Sequence, residues 1–303
     1  MARVDIGTFT PSVVLAVARA QGRLTTAGLD VEEHAVPSSP AQFEALAAGT
    51  LDLAITSPDN VLLYAGFDGN PLGRRLPLTI TAALDRGLGL SLWVRPGLEG
   101  LADARVLGVD VPVSGFALAA RALLRAHACD PDRLEVVSLG STPKRRVALA
   151  AGQCDVTILG SGNELRAEED GCRRIATVRE LGPYLGAVAC RLTTLDRPRV
   201  RAADALSAIL VETGAEIADG AHDELVVEAA MRLLDLSEAS ARRHLAVLRS
   251  PETGIVPDGR LQRPALETLA RLRAGRHEPA ALEAAVETVL ASARGLAHSG
   301  AAV

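Results

Sequence analysis

The sequence predicts an α/β protein made of two similar lobes that face each other across a cleft. Three observations predict it: a unit that occurs twice, strands that alternate with helices, and a C-terminal third rich in helix signals. The repeated unit spans residues 39–60 (SPAQFEALAAGTLDLAITSPDN) and 142–163 (TPKRRVALAAGQCDVTILGSGN), which align without a gap at a constant shift of 103 and are identical at 9 of 22 positions. Two copies at this spacing indicate paired lobes rather than a solenoid.

Strand and helix signals alternate through the first lobe. Thr10-Pro11 predicts a helix to about residue 22, because threonine is a favoured N-cap and proline a favoured first helical residue. Ser39-Pro40 predicts a second helix, which ends at Gly49. The predicted strands are 4–7, 29–36, 51–56 and 78–84. This alternation predicts a mostly parallel sheet with right-handed crossovers.

The second lobe repeats this order. Ser114 and Thr142-Pro143 predict its two main helices, and the second of these ends at Gly152. The predicted strands are 105–110, 134–139 and 154–159. From Ala202 onward, apolar residues recur at three- and four-residue spacing, which predicts helices that pack around the lobes.

Two segments, 84–94 and 184–191, are expected to join the lobes, so that the second lobe is inserted into the first. We therefore expect lobe I to comprise residues 1–88 and 187–303, and lobe II to comprise residues 89–186. The ligand cleft and the hinge are expected between them.

Composition excludes several classes of function. The chain is 48% hydrophobic and 23% charged, which is typical of a globular protein. Its net charge of -5, without a basic run, argues against nucleic acid as a partner. No apolar stretch reaches the roughly 18 residues of a membrane helix. Met1-Ala2-Arg3 leads directly into the first strand without an apolar signal segment, so we expect a cytoplasmic protein, or an extracytoplasmic one if a leader has been removed.

Motifs for cofactors, metals and nucleophiles are not found. The sequence lacks GxSxG and HExxH, and Gly160-Ser161-Gly162 lacks the third glycine of a dinucleotide fingerprint. The four cysteines have no metal-ligand spacing and are expected to be small buried residues. We therefore expect no cofactor and no metal ion. The histidines are expected in structural roles, and His34 is the strongest exception because it nears the cleft end of its strand: His34, His127, His222, His244, His277 and His298.

Ligands of open α/β sheets bind beyond the carboxyl ends of the strands, at helix N-termini. This rule predicts a set of ligand-binding residues on the corresponding loops of both lobes. They are Thr8, Phe9, Thr10, Ser38, Ser39, Ser57, Asp59, Asn60, Asp85, Arg86, Ser114, Gly115, Phe116, Ser141, Thr142, Gly160, Asn163 and Glu164.

Four predicted helices, which start near Thr10, Ser39, Ser114 and Thr142, would direct their N-termini at one gap. Unpaired N–H groups and the positive end of the helix dipole favour an anion there, such as a carboxylate, sulfonate or phosphate group. Alternatively, these hydroxyls only cap their own helices.

Three acids near the same rim, Asp59, Asp85 and Glu164, could hold the amine of a zwitterionic ligand. Pairing with Arg86 or Lys144 is the alternative that we favour slightly. If the protein is an enzyme, these acids are the candidate general acid or base groups, because burial raises a carboxyl pKa.

The segments TFTPS, AQGRLTTAGLDVE, SPAQFEALAAGTLDLAITSPDNVLLYA and SLGSTPKRRVALAAGQCDVTILGSGNEL together resemble the solute-binding proteins of nitrate, sulfonate and taurine ABC importers. The same fold superfamily includes the thiamine-pyrimidine synthase group. The resemblance implies a type II periplasmic-binding-protein-like fold that closes over its ligand by hinge motion, and an ABC permease as partner. It implies a protein that binds a small anionic or zwitterionic molecule between its lobes.

The alternative function is a cytoplasmic enzyme, such as a lyase, decarboxylase or desulfinase, or a small-molecule sensor with the same fold. Two departures bear on it. Ser57-Pro58-Asp59 stands where the pyrimidine-synthase group has a histidine, and the first cleft loop lacks the cysteine of the desulfinases. The oligomeric state stays open.

Overall fold

A computed structural model describes residues 1–293, so that His298 lies outside the described residues. The chain first forms β1 (Ala2–Thr8), α1 (Val13–Ala20), α2 (Arg23–Thr26), β2 (Leu29–Ala35), α3 (Ser39–Ala47), β3 (Leu53–Thr56), α4 (Pro58–Gly66) and β4 (Leu78–Asp85). It continues with β5 (Ser91–Val94), β6 (Val106–Val109), α5 (Gly115–Ala126), β7 (Glu135–Ser138), α6 (Thr142–Ala150), β8 (Val156–Leu159), α7 (Asn163–Glu169) and β9 (Arg173–Thr177). It returns through β10 (Ala187–Leu192) into α8 (Arg197–Ala218), α9 (Asp223–Leu234), α10 (Glu238–Arg249), α11 (Arg263–Leu272) and α12 (Pro279–Ser292).

The strands form two five-stranded sheets, in the orders β2-β1-β3-β10-β4 and β7-β6-β8-β5-β9. In each sheet one strand, β10 or β5, runs antiparallel to its neighbours, and the other pairs recorded are parallel. The predicted α/β class with mostly parallel sheets is therefore confirmed. The chain passes between the sheets twice, after β4 and before β10. The proposed lobe boundaries at residues 88/89 and 186/187 fall at these crossings and stay a proposal.

The sequence repeat corresponds to a structural repeat. α3 with β3 and α6 with β8 have the same bounds after the shift of 103. The aspartate before each strand has the same task in both copies, because Asp52 accepts a hydrogen bond from the Asp5 amide at 2.8 Å and Asp155 accepts one from the Val106 amide at 3.0 Å. Each aspartate thus ties the start of its own strand to the neighbouring parallel strand, β1 or β6.

Three predicted helix starts are displaced. α1 begins at Val13 with Ser12 as its N-cap, and not at Thr10-Pro11. The carboxylate of Glu33 accounts for this, because it accepts hydrogen bonds from the Ser12 amide at 2.8 Å and the Thr8 hydroxyl at 2.9 Å and so ties the segment before α1 to β2. α3 and α6 have Ser38 and Ser141 as N-caps, one residue before the predicted ones.

The C-terminal helices lie against both sheets and reach across the cleft. α8 packs on β1 and β4, α12 packs on α4, and α11 contacts both α4 and α5. On the opposite flank α10 contacts α7. Within residues 1–293, none of the helices has the length and apolarity needed to cross a membrane.

Candidate functional site

The two lobes touch along the cleft. The Asn163 side chain of α7 donates a hydrogen bond to the Thr10 hydroxyl at 3.3 Å, and Arg273, after α11, donates one to the Val113 carbonyl at 3.2 Å. Gly115, at the start of α5, lies so close to Asp59 of α4 that an added Cβ would be 2.4 Å from the carboxylate oxygen. Residues of the two predicted lobes therefore contact each other beside the space that remains between them.

Part of this space is a compartment of about 30 Å³, called the polar compartment because seven of its ten lining residues have polar side chains. Eight of its lining residues are among those predicted from the strand ends. The full lining is Phe9, Ser57, Asn60, Asp110, Ser114, Gly115, Phe116, Ser141, Thr142 and Arg145. Asp110 and Arg145 are the two that the sequence interpretation missed.

Three helix N-termini from both lobes meet at the polar compartment. Ser57 caps α4 and accepts a hydrogen bond from the Asp59 amide at 3.3 Å, and Ser114 caps α5 and accepts one from the Ala117 amide at 3.1 Å. The Ser141 side chain makes no capping bond at α6 and no hydrogen bond to any described residue. The Ser141 hydroxyl is therefore free to contact a ligand.

Arg145 is the positive charge of this compartment, and it is 1% exposed. Its guanidinium donates to the Gly140 carbonyl at 2.7 Å, the Thr142 hydroxyl at 3.1 Å and the Ile158 carbonyl at 3.3 Å, while its Nε has no partner. Among the described residues no carboxylate forms an ion pair with it, and burial lowers its pKa from the ordinary value. The nearby Asp110 carboxylate opposes this lowering in part but forms no ion pair with Arg145, so an anion bound here would offset the remaining cost of the buried charge.

The balance of charge in the compartment favours an anion. Asp110 contributes one negative charge, and its carboxylate accepts a short hydrogen bond from the Ser114 hydroxyl. Arg145 offsets this charge, and each helix N-terminus adds the equivalent of about half a positive charge. Three such N-termini leave the compartment net positive.

The phase of α6 explains why Arg145 points inward while its neighbours do not. Thr142, Arg145 and Leu149 recur at helical spacing and are all buried, whereas Lys144 is exposed. The equivalent residue in the first copy of the repeat is Gln42, which donates to the Ile55 carbonyl at 3.1 Å as Arg145 donates to the Ile158 carbonyl. The two copies keep this contact and differ in charge.

A second compartment of about 130 Å³ adjoins the first and shares Phe9, Ser57, Phe116 and Thr142 with it. Its walls are mostly apolar and come from both lobes and from α8, α9 and α10. Of the predicted residues it includes Phe9, Thr10, Ser57, Asp85, Phe116, Thr142 and Gly160, with Ser161 beside them. Its further apolar lining includes Val13, Val14, Ile55, Leu84, Leu88, Leu90, Leu210, Val211, Leu234, Leu248, Ile255 and Val256.

The other predicted residues line neither compartment. They are Thr8, Ser38, Ser39, Asp59, Arg86, Asn163 and Glu164. Local bonds account for several of them: Thr8 is bonded to Glu33, Ser38 caps α3, Arg86 donates to the Ile255 carbonyl, and Asn163 is bonded to Thr10.

The three predicted acids have different surroundings. Asp59 forms a buried ion pair with Arg273, and not with the expected Arg86 or Lys144. Asp85 lines the apolar compartment and accepts a hydrogen bond from the Gly87 amide at 2.8 Å, while burial raises its pKa to about 6.

Glu164 is 4% exposed, and neither of its carboxylate oxygens is hydrogen-bonded. Burial raises its pKa to about 7, an effect that the nearby backbone N–H groups of Glu164 and Gly162 partly offset. Glu164 is therefore a buried acid that forms no ion pair with any described residue, and it lines neither compartment.

Most of the histidines have structural partners. His34 is bonded to Asp5 at 2.7 Å, His127 to Glu180 at 2.7 Å and His222 to Glu216 at 2.7 Å, and His277 stacks on Phe67. His34 lies near the carboxyl end of β2, as expected, but lines neither compartment. His244 of α10 lines the apolar compartment instead.

One group of described residues has metal-ligand proximity, namely Asp5, Glu32 and His34 on the edge of the first sheet. Arg3 donates to Asp5 at 2.9 Å and to Glu32 at 2.6 Å. The guanidinium therefore already supplies the positive charge that this cluster would otherwise take from a metal ion.

No protein-family model matches the chain, and no curated protein matches its sequence. Solved structures match over nearly the full length. The periplasmic nitrate-binding protein NrtA from Synechocystis PCC 6803 has a TM-score of 0.78 at 15% identity, over 99% of this chain and 89% of NrtA. The Candida albicans CA3427 gene product, described as having the generic periplasmic binding protein structural fold, has a TM-score of 0.71 at 12% identity, over 95% of each chain.

The chain has the periplasmic binding protein fold. The alkanesulfonate-binding protein SsuA from Xanthomonas axonopodis pv. citri, bound to MOPS, is a further neighbour, with a TM-score of 0.69 at 19% identity over 91% of this chain and 93% of SsuA. Identities this low show the fold and do not identify the ligand. In a periplasmic binding protein fold the ligand lies between the lobes, where both compartments are found.

Proposed function

We propose that the chain binds a small anionic molecule between its lobes, as the solute-binding component of an ABC-type importer. The observation that carries the proposal is Arg145, a buried guanidinium without an ion pair, beside the N-termini of α4, α5 and α6. A carboxylate, sulfonate or nitrate group would accept the free hydrogen bonds of Arg145 and Ser141 and neutralise the buried charge.

The structural neighbours support this proposal. One binds nitrate and another binds alkanesulfonates, both of which are anions. A third is the ligand-binding component of an ABC-type import system from Staphylococcus aureus with zinc bound. The neighbours thus support a small ligand and an ABC permease as partner, whereas the anionic character of the ligand rests on Arg145.

Replacing Arg145 by glutamine tests the proposal with little risk to the fold. Gln42 occupies the equivalent position of the first repeat and makes the same contact to the strand, so glutamine is compatible with this environment. A hydrogen bond to a charged group contributes about 1.5–3 kcal/mol, so we expect anion affinity to fall by about 10- to 100-fold. Titration calorimetry with nitrate, methanesulfonate, butanesulfonate, acetate, butanoate and phosphate would measure it.

Lys144→Gln is the matched control, because it removes the same charge from the adjacent but exposed position. Its affinity should stay within about twofold of the unmodified protein, since exposed charges interact weakly with a buried site. Equal affinity in the Arg145→Gln variant, or no binding of any of the six anions, would refute the anion site.

The importer role needs a separate measurement. Cells that lack the chain should take up the radiolabelled anion more slowly than the parent strain, and the Arg145→Gln variant should not restore uptake. Unchanged uptake in the deletion strain, together with tight binding in solution, would favour a sensor over a transport component.

A further inference from the structure

The apolar compartment is larger than a site for a small anion alone requires. Its volume of about 130 Å³ is several times the roughly 30 Å³ of the polar compartment. A buried apolar cavity of about 150 Å³ accepts benzene, so this space fits about five or six non-hydrogen atoms. Four shared lining residues show that the two compartments adjoin, so one molecule could occupy both.

The C-terminal helices build one wall of this compartment. Leu210 and Val211 of α8, Leu234 of α9 and Leu248 of α10 all line it. These four side chains offer neither charge nor hydrogen bonds, so this wall favours hydrocarbon over a second ionised group. Asp85 is an acid that also lines this compartment, and its carboxylate accepts a hydrogen bond from the Gly87 amide.

His244 interrupts the apolar wall. The side chain is 1% exposed, and neither ring nitrogen is hydrogen-bonded to any described residue. Burial lowers its pKa to about 4, so the ring is neutral at pH 7 and carries one unused donor and one unused acceptor. Buried polar groups in folded proteins nearly always have a partner, so an unpaired imidazole at a cavity wall indicates a partner that the chain does not supply.

We propose that the cleft takes an elongated anion whose uncharged body lies in the apolar compartment and whose far end carries a neutral hydrogen-bonding group that contacts His244. The proposal rests on the proposed anion-binding function and names its ligand class: a carboxylate or sulfonate with a hydrocarbon chain or ring that ends in a hydroxyl, carbonyl or amide. Arg145 then binds the charged end, the walls from α8 to α10 bind the body, and His244 selects the far end.

Matched ligands test each part of this assignment in the full chain. Titration calorimetry would compare methanesulfonate, pentane-1-sulfonate and 4-hydroxybutane-1-sulfonate, and the carboxylates acetate, hexanoate and 5-hydroxypentanoate. Each buried methylene contributes roughly fourfold in affinity, so the five-atom chains should bind at least about 30-fold more tightly than the one-carbon anions. The hydroxyl-terminated chain should exceed its methyl-terminated partner by about fivefold to tenfold, the effect of one hydrogen bond.

His244→Leu should reverse that preference, so that the methyl-terminated chain binds more tightly, while methanesulfonate affinity stays the same. His127→Leu is the control, because His127 is bonded to Glu180 on the surface and lines neither compartment. The comparison of the hydroxyl-terminated with the methyl-terminated ligand in the unmodified protein decides the assignment even if the His244 variant does not fold.

The outcomes separate the two proposals. Absence of binding for all six probes would overturn the anion site and this assignment with it. This assignment alone would be overturned if methanesulfonate or acetate binds but a longer hydrocarbon chain raises the affinity less than threefold. Equal affinity for the hydroxyl-terminated and methyl-terminated ligands would also overturn it. An unchanged preference in a folded His244→Leu variant would also overturn it.

Discussion

Replacing Arg273 by methionine should lower the free energy of unfolding by about 3–5 kcal/mol. The side chains of Arg273 and Asp59 are each 1% exposed, and the guanidinium contacts both carboxylate oxygens, with Nε at 2.7 Å from Oδ1. Removing the guanidinium leaves Asp59 as a buried charge beside the backbone of Gly115. Urea unfolding followed by circular dichroism would measure the change.

A double-mutant cycle identifies the ion pair as the cause. Asp59→Asn combined with Arg273→Met should lose less stability than the two single changes added together, because the double variant has no buried unpaired charge. Arg271→Met is the control, since Arg271 is exposed and two residues away, and it should change stability by less than about 0.5 kcal/mol. A loss below about 1 kcal/mol for Arg273→Met would contradict the expectation.

Glu164→Gln should stabilise the protein above pH 7 by about 3 kcal/mol. Burial raises the pKa of Glu164 from 4.5 to about 7, so the folded state holds this proton more tightly than the unfolded state does. Each unit of pKa shift corresponds to about 1.4 kcal/mol. The stability from the protonated acid is fully present below about pH 4.5 and is lost as the pH rises to about 7. Glutamine cannot ionise, so the Glu164→Gln variant keeps this stability above pH 7.

The difference in unfolding free energy between the variant and the unmodified protein isolates this group from the other titrating residues. Measured by urea unfolding at several pH values, it should rise from near zero at pH 4.5 to its plateau above pH 7. Glu44→Gln, at an exposed position of α3, should show no such rise. A difference that does not depend on pH would show that Glu164 is not the buried acid that the structure indicates.

The sequence predicted the two lobes because α3 with β3 and α6 with β8 are copies of one unit. It also placed Ser57, Ser114 and Thr142 in the cleft, since the strand-end rule depends only on local order. Arg145 was not found because it lies in a run of three basic residues, which is typical of an exposed helix face. The signal was present in the helical spacing from Thr142 to Leu149, and in the gapless alignment with Gln42.

Other features of the site depend on contacts between residues that are far apart along the chain. Asp59 and Arg273 are separated by 214 residues, and no local pattern in either segment specifies the other. The apolar compartment needs α8, α9 and α10 to pack in one particular way. Helical periodicity shows that these helices have apolar faces but does not determine which residues meet, so His244 could not be distinguished from a satisfied core histidine.

A cleft between two copies of one unit is nearly symmetric, so a ligand could in principle lie in it in either of two directions. The exchange of Gln42 for Arg145 between the copies removes that ambiguity, because of these two equivalent residues only Arg145, in the second lobe, is charged. In the proposed complex, the anionic head lies towards the second lobe and the body towards the C-terminal helices. Under the proposed function, a single difference between the repeats therefore gives the cleft a direction, and with it the ability to distinguish the two ends of one molecule.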